Sequence, residues 1–331
     1  MVQCRPMTFS VVCAGAIFVP ALDAGARQKD DSTPPALVMA AYLPDYQLEH
    51  FQVDREVLSP LTDLILFSVQ PGEDGAIRDD HGLLSKSTRW SDFRDQAPRP
   101  VKLWLCVGGG GKRRSDGFFA MASAASKRAR FVQALVEILL RHHFTGAELD
   151  WEHMDAARDL PIFNLLVRDL KKAFEPHGLR LSAAVADARQ VPSETIPLLD
   201  RITLMSYDGP RHGSLEQATE KVNGALLNSI PPEKILLGFP LYARGPRTDD
   251  TVSLRGLVAR GHLLAEADQD HIDGLRFGGI ATTRAKVRLV QEKRLSGIAF
   301  WELSQDAPKP SSLIRVVEEA LRPQQSATTT R

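Results

Sequence analysis

Eight short apolar runs set the rhythm of this chain, and that rhythm constrains its fold more than any other feature. They read ALVMAAYL (36–43), TDLILFSV (62–69), VKLWLCV (101–107), TGAELDW (145–151), LRLSAAVA (179–186), RITLMSY (201–207), KILLGFPLY (234–242) and GIAFWEL (297–303). Helix-period stretches lie between several of them. Residues 127–143 put Phe131, Leu135, Ile138 and Leu139 on one stripe, and residues 160–174 do the same with Leu165, Val167, Leu170 and Phe174. Further helices are expected before the seventh and eighth runs and after the last; those after the first, second and fifth runs read as shorter. Strands alternating with helices in this way predict an α/β fold, a (β/α)8 TIM barrel in a single domain over 36–321. An open doubly wound sheet shares the alternation, but no G-x-G-x-x-G follows any strand.

The ends of the chain read differently. A twelve-residue apolar run, VVCAGAIFVPAL, is followed by Ala24-Gly25-Ala26. That order predicts a secretory signal over 1–26, with a polar linker at 27–35, a disordered tail at 322–331, and export from the cytoplasm. The run is too short to span a bilayer, and no membrane span is expected elsewhere. Lys plus Arg equals Asp plus Glu, at 41 each, so no nucleic-acid partner is expected. Of the three cysteines, Cys4 and Cys13 fall in the leader and leave Cys106 alone, which excludes a disulfide framework. The chain is expected to act as a monomer.

The fourth run carries the chemistry. In FTGAELDWEH, Gly146, Glu148, Asp150 and Glu152 occupy alternate positions, with Ala147, Leu149 and Trp151 between them. Successive strand residues point to opposite faces, so the acids share one face at about 6.6 Å spacing. The apolar set suits the helix layer; the acids therefore point into the barrel. A lone acid at a strand end is ordinarily a cap, but three buried together are costly. Desolvation and mutual repulsion raise their pKa values, which leaves a protonated group near neutrality. Glu152, nearest the C-terminal rim, is the natural general acid. Asp150 sits one step deeper, and Glu148 deeper still, holding or sharing a proton. A metal is not expected, because one strand supplies too few ligands. No cofactor is expected either: the glycines of GGGGKRR do not form a phosphate loop, since Arg113 rather than Ser or Thr follows Lys112.

Further pieces fall in order along the chain. They are Tyr42 in the first run, Cys106-Val107-Gly108-Gly109 in the third, Met205-Ser206-Tyr207-Asp208 in the sixth, Gly238 to Arg244 in the seventh and Trp301 in the eighth. Singly, Trp301 and Met205 would be core, Tyr207 a buried phenol and Asp208 a turn residue. Together with LDWE they resemble glycoside hydrolase family 18, the chitinase and chitinase-like group. The resemblance spans about 36–321.

The resemblance implies hydrolysis of β-1,4-linked N-acetylglucosamine in chitin oligomers or related glycans. It implies a substrate-assisted, retaining route in which the sugar's own acetamide oxygen is the nucleophile. On that reading Glu152 is the acid, Asp150 orients the acetamide, Tyr207 holds its oxygen, and Trp301 floors the sugar. Glu148 belongs to the same catalytic set, and Tyr42, Asp208, Tyr242 and Arg244 bind around the ring. Four positions depart from the family pattern: Thr145 and Glu148 stand where it has Asp, Cys106 where it has Ser, and Ala243 where it has Gly. The extra methylene of Glu148 displaces its carboxyl by about 1.5 Å and allows a second expectation, a chitinase-like lectin with little or no turnover. The connection 245–281 reads as an elaborated loop, too short for the extra α+β module of some family members, and implies a shallow cleft.

Overall fold

The chain divides into two units, 1–36 and 37–331. The computed structural model describes Met1 and residues 37–322 other than 53–54, 112, 248–249 and 265–269. The leader, the linker and all of the tail but Arg322 lie outside the described residues.

Eight parallel strands close into a barrel: β1 (Val38–Pro44), β2 (Asp63–Pro71), β3 (Lys102–Gly108), β4 (Gly146–Asp150), β5 (Arg180–Val185), β6 (Arg201–Leu204), β7 (Ile235–Pro240) and β8 (Gly297–Trp301). Each pairs with its neighbour in sequence, and β1 also pairs with β8, Ala41 facing Phe300. Every strand overlaps its apolar run, with β1, β2 and β3 continuing one or two residues past it. Both faces are covered, so β2 is buried along its whole length.

The period of two separates two cores. Ala40, Tyr42, Ile65, Phe67, Trp104, Cys106, Leu236 and Ala299 form one cluster inside the barrel. The alternate residues, among them Ala41, Leu43, Leu64, Leu66, Leu103, Leu105, Ala147 and Leu149, join the larger cluster under the helices. Trp151 belongs to that outer layer and stacks on Phe118 with ring centroids 4.8 Å apart.

The helix over Ala125–Arg141 buries Phe131, Val132, Leu135 and Leu139, spaced to face the sheet. In the helix over Ala156–Phe174 the buried stripe is Phe163, Leu166, Val167, Leu170 and Phe174, whereas Leu165 is 41% exposed. The expected stripe is corrected at that residue: Leu165 lies about 100° round the helix from Leu166 and faces away from the core. After β5 there is no α-helix. Pro192 and Pro197 interrupt the segment, leaving 3-10 turns at Ala188–Gln190 and Ile196–Leu198.

The connection after β7 is not a plain loop. Tyr242–Arg244, Thr251–Ser253, His271–Ile272 and Leu275–Arg276 form a small four-stranded antiparallel sheet, with a six-residue helix at Leu254–Ala259. These strands are two or three residues long, too short to leave a periodic signal. Among the described residues no helix is long and apolar enough to cross a membrane.

Candidate active site

Polar side chains enter the barrel in layers. At the base Asp63 Oδ1 accepts from Arg201 Nη1 at 3.0 Å and from Trp104 Nε1 at 2.5 Å. The Arg201 guanidinium lies over the Trp104 ring, 3.6 Å from its centroid. Its Nε reaches Ser182 Oγ at 3.4 Å, which leads up to the next layer.

That layer is built around Glu148, which is fully buried. Tyr42 donates its hydroxyl to Oε1 at 2.5 Å; Ser182 and Thr203 donate theirs to Oε2 at 2.6 and 3.0 Å. The donors come from β1, β5 and β6. Burial and the adjacent Glu148 charge push the Tyr42 phenol well above its ordinary range, so it remains a donor. Tyr42, expected at the sugar, is 2% exposed with its hydroxyl committed to Glu148 and its ring 5.3 Å from that of Trp301. It supports the site from beneath.

The proton sharing expected between Glu148 and Asp150 has no hydrogen bond behind it. Both Glu148 oxygens are taken by hydroxyls. Ser182 and Thr203, one and two strands away from β4, supply hydroxyl donors in a site where Cys106 replaces the family Ser. Sequence reading missed both. Register would have found them, since Ser182 is the β5 partner of Glu148.

Asp150 is 4% exposed, and its Oδ1 is buried with no hydrogen-bond partner. Burial, then the charges of Glu152 and Glu148, hold its pKa well above the ordinary aspartate value. Glu152 follows the last strand residue rather than ending the strand, and its side chain is 26% exposed at the rim. Burial raises its pKa, and the Asp208 charge adds to that; His153 and the Gly110 N–H partly offset the rise. The carboxyl fills the space where a Gly110 side chain would sit, 2.8 Å from Oε1.

Tyr207 faces this pair. Burial first, then Tyr242 and the carboxylates, keep its phenol well above its ordinary range. Gly238 on β7 makes room for it: a Cβ there would meet the Tyr207 ring at 2.9 Å and the Leu204 carbonyl at 2.6 Å.

Asp208, Tyr242 and Arg244 come together at the rim and hold one another. Asp208 Oδ1 accepts from the Tyr242 hydroxyl and, at 2.6 Å, from Arg244 Nη1. Asp208 has a left-handed φ of 64°. His212, buried and not anticipated from sequence, fixes that turn. Its Nδ1 accepts the Asp208 N–H at 2.9 Å, and its Nε2 lies 2.9 Å from the Tyr242 carbonyl. That pair of contacts requires the neutral ring with the proton on Nε2, in keeping with a pKa driven down to about 4 by burial.

Trp301 packs edge-on against Phe67, ring centroids 4.7 Å apart, and forms part of a cleft of about 690 Å3. Tyr242 and Arg244 line the same cleft; the three carboxylates do not. At the same rim, the buried Arg114 makes a two-point pair with Asp45 at 2.9 and 3.0 Å and donates to Ser68 Oγ at 2.8 Å. No group of three or more potential metal ligands occurs among the described residues.

Residues 39–306 match the family described as Glycosyl hydrolases family 18. A probable chitinase 10 of Drosophila melanogaster is 27% identical over 204 residues, 51% of this chain and 9% of that protein. A probable chitinase 2 of the same fly is 26% identical over 45% of this chain and 36% of its own length. The class V chitinase CHIT5a of Medicago truncatula is 25% identical over 280 residues, 65% of this chain and 72% of that protein. The chain thus spans well under half of the two fly proteins it matches. Among solved structures, a chitinase from Bacteroides thetaiotaomicron aligns with a TM-score of 0.76 at 18% identity, covering 89% of this chain and 99% of that one. A chitinase from Cycas revoluta in complex with (GlcNAc)3 aligns with a TM-score of 0.74 at 22% identity, covering 86% and 99%. At these identities the two structures speak for the fold.

Proposed function

The chain belongs to glycosyl hydrolase family 18, and we propose that it hydrolyses β-1,4-linked N-acetylglucosamine chains by substrate-assisted, retaining catalysis. One observation carries the reading. Glu152, its pKa raised by burial, stands at the open rim two residues after Asp150, whose buried Oδ1 has no partner among the described residues. A protonated acid at the rim beside an unspent acceptor suits a sugar that offers a glycosidic oxygen to the one and an amide N–H to the other.

In the first step the acetamide oxygen of the bound sugar attacks its own C1. The C1–O bond to the next sugar breaks, and Glu152 gives its proton to the departing oxygen. The resulting oxazolinium carries positive charge, which Asp150 stabilises while accepting the ring N–H. Tyr207 donates to the acetamide oxygen and fixes its line of attack. In the second step Glu152 takes a proton from water, which adds to C1 from the face the leaving sugar vacated as the C1–O bond to the acetamide oxygen breaks and the N-acetyl group is restored, and the configuration is retained. Holding the internal nucleophile in line contributes up to about 7–11 kcal/mol in well-oriented cases. The Trp301 ring supplies the apolar floor. Asp208, Tyr242 and Arg244 present a braced polar edge to the sugar hydroxyls.

Glu152→Gln tests the assignment. Hydrolysis of a chromogenic chitobioside should collapse while affinity for N-acetylglucosamine oligomers survives. Wild-type protein that binds these oligomers without turnover would instead select a carbohydrate-binding role, the course the Glu148 substitution leaves open. Residues 1–26 support export as part of the same reading; a mature chain recovered from a secreting host with those residues still attached would overturn it.

A further inference from the structure

The segment that follows β7 places an exposed guanidinium, Arg255, in the cleft wall. Arg255 lines the 690 Å3 cleft together with Trp301, His50, Gln47 and Gln305, and among the described residues no carboxylate lines it. Arg255 is exposed and has no hydrogen bond or ion pair among the described residues. The buried Glu302 accepts the Ser304 N–H and hydroxyl at 2.9 and 2.7 Å and feels the Arg255 charge at longer range, without an ion-pair contact to it. Arg244, the other guanidinium of the cleft, is neutralised by Asp208 at 2.6 Å.

Helix stability does not explain Arg255. It stands in the first turn of Leu254–Ala259, where a cation meets the positive end of the helix. A second groove, of about 550 Å3 on the other side of Arg244, is lined by Arg276, His271 and His212, again without a carboxylate among the described residues. Arg276 also has no ion pair among the described residues. In the cleft wall Gln305 Oε1 is a buried acceptor without a donor. The wall thus offers an exposed cation free of any close ion pair, and an acceptor without a donor, among the described residues beside Trp301.

We infer that this cleft selects N-acetylhexosamine chains whose sugars carry a carboxylate substituent, with Arg255 taking the carboxylate and Gln305 a sugar O–H or N–H. The inference rests on the hydrolase reading for the identity of the sugar backbone. It concerns the chemistry attached to that backbone, which the family assignment leaves open.

Two soluble polymers on one backbone test it: carboxymethyl chitin, which is anionic, and glycol chitin, which is neutral. Wild-type kcat/KM should favour the anionic polymer by about three- to fivefold at low salt, the scale of an exposed charge contact. The preference should shrink as salt screens it. Arg255→Gln should bring the ratio down towards one, and Arg255→Lys should retain most of it. A wild-type ratio at or below one, or a ratio that Arg255→Gln leaves unchanged, would overturn the inference. Binding of both polymers to Glu152→Gln separates it from the hydrolase reading. A preference for the anionic polymer in binding, with no turnover by wild type, sustains the charge selectivity and sinks the hydrolase. Turnover of both polymers at equal rates does the reverse.

Discussion

Two levels of the same barrel handle buried charge in opposite ways. At the base Asp63 has Arg201 at 3.0 Å, and the indole of Trp104 completes its coordination. Near the top Asp150 is as well buried, yet its Oδ1 has no partner and its charged neighbours, Glu152 and Glu148, are acidic. At the base desolvation is offset by opposite charge, although Arg201 Nη2 has no hydrogen-bond partner among the described residues. The top is left unfinished, and burial together with neighbouring carboxylates raises the pKa values of Asp150 and Glu152. Glu148 mediates between them: an acid, but one saturated by three hydroxyls. The difference separates carboxylates that hold the barrel from carboxylates that await a ligand.

The strongest test of that separation removes the acid. Glu152→Gln should lower kcat on a chitobioside by about 10²–10⁴-fold, the usual worth of general acid catalysis, with little change in melting temperature. At the base the outcome should invert. Arg201→Ala leaves Asp63 buried without its cation and should cost about 3–5 kcal/mol of stability in urea titrations. Asp150→Asn should do opposite things to the two properties. Turnover should fall by about 10²-fold as charge stabilisation is lost, while stability at neutral pH should rise. The sign follows from the raised pKa of Asp150. Wild type binds an extra proton in the folded state, so it loses stability as pH climbs above about 3.9, the ordinary aspartate value, through the folded value. The variant escapes that loss, and the two should converge below about pH 4.

Tyr42→Phe probes the layer between. Deleting one of three donors to a buried carboxylate should cost about 1–3 kcal/mol, read by denaturation, with a smaller effect on turnover than Asp150→Asn. The least effect is expected at the rim. The His212 ring is neutral when folded, with its pKa depressed to about 4. Its contribution to stability is therefore full above about 6.5 and is lost as pH falls through the folded value. A melting-temperature profile across that window should flatten in His212→Gln.

The alternation of residues 146–152 was enough to place Glu148 and Asp150 inside and Trp151 among the helices, because strand geometry admits no other division. The partners of Glu148 were hidden for a related reason. Ser182 and Thr203 are unremarkable in their own strands and meet the carboxylate only through the register of β4, β5 and β6. Arg201 reads as a solvated strand start; it is buried because Trp104 and Asp63 reach under it from β3 and β2. Leu165 misled because three adjacent leucine or valine positions, 165–167, leave the helical phase ambiguous by one residue. His212 carried no signal, since its role depends on the left-handed turn at Asp208 and on a carbonyl thirty residues downstream.

The three hydroxyls on Glu148 come from residues 42, 182 and 203, so its cradle draws on the first strand and on two strands past the middle of the chain. A partly assembled sheet in which β1 has not yet found β8 would strand this anion in a greasy interior with donors missing. Intermediates of that kind are penalised relative to the ring-closed state, and a polar contact chosen for the chemistry above it also makes the last step of assembly more nearly all-or-none.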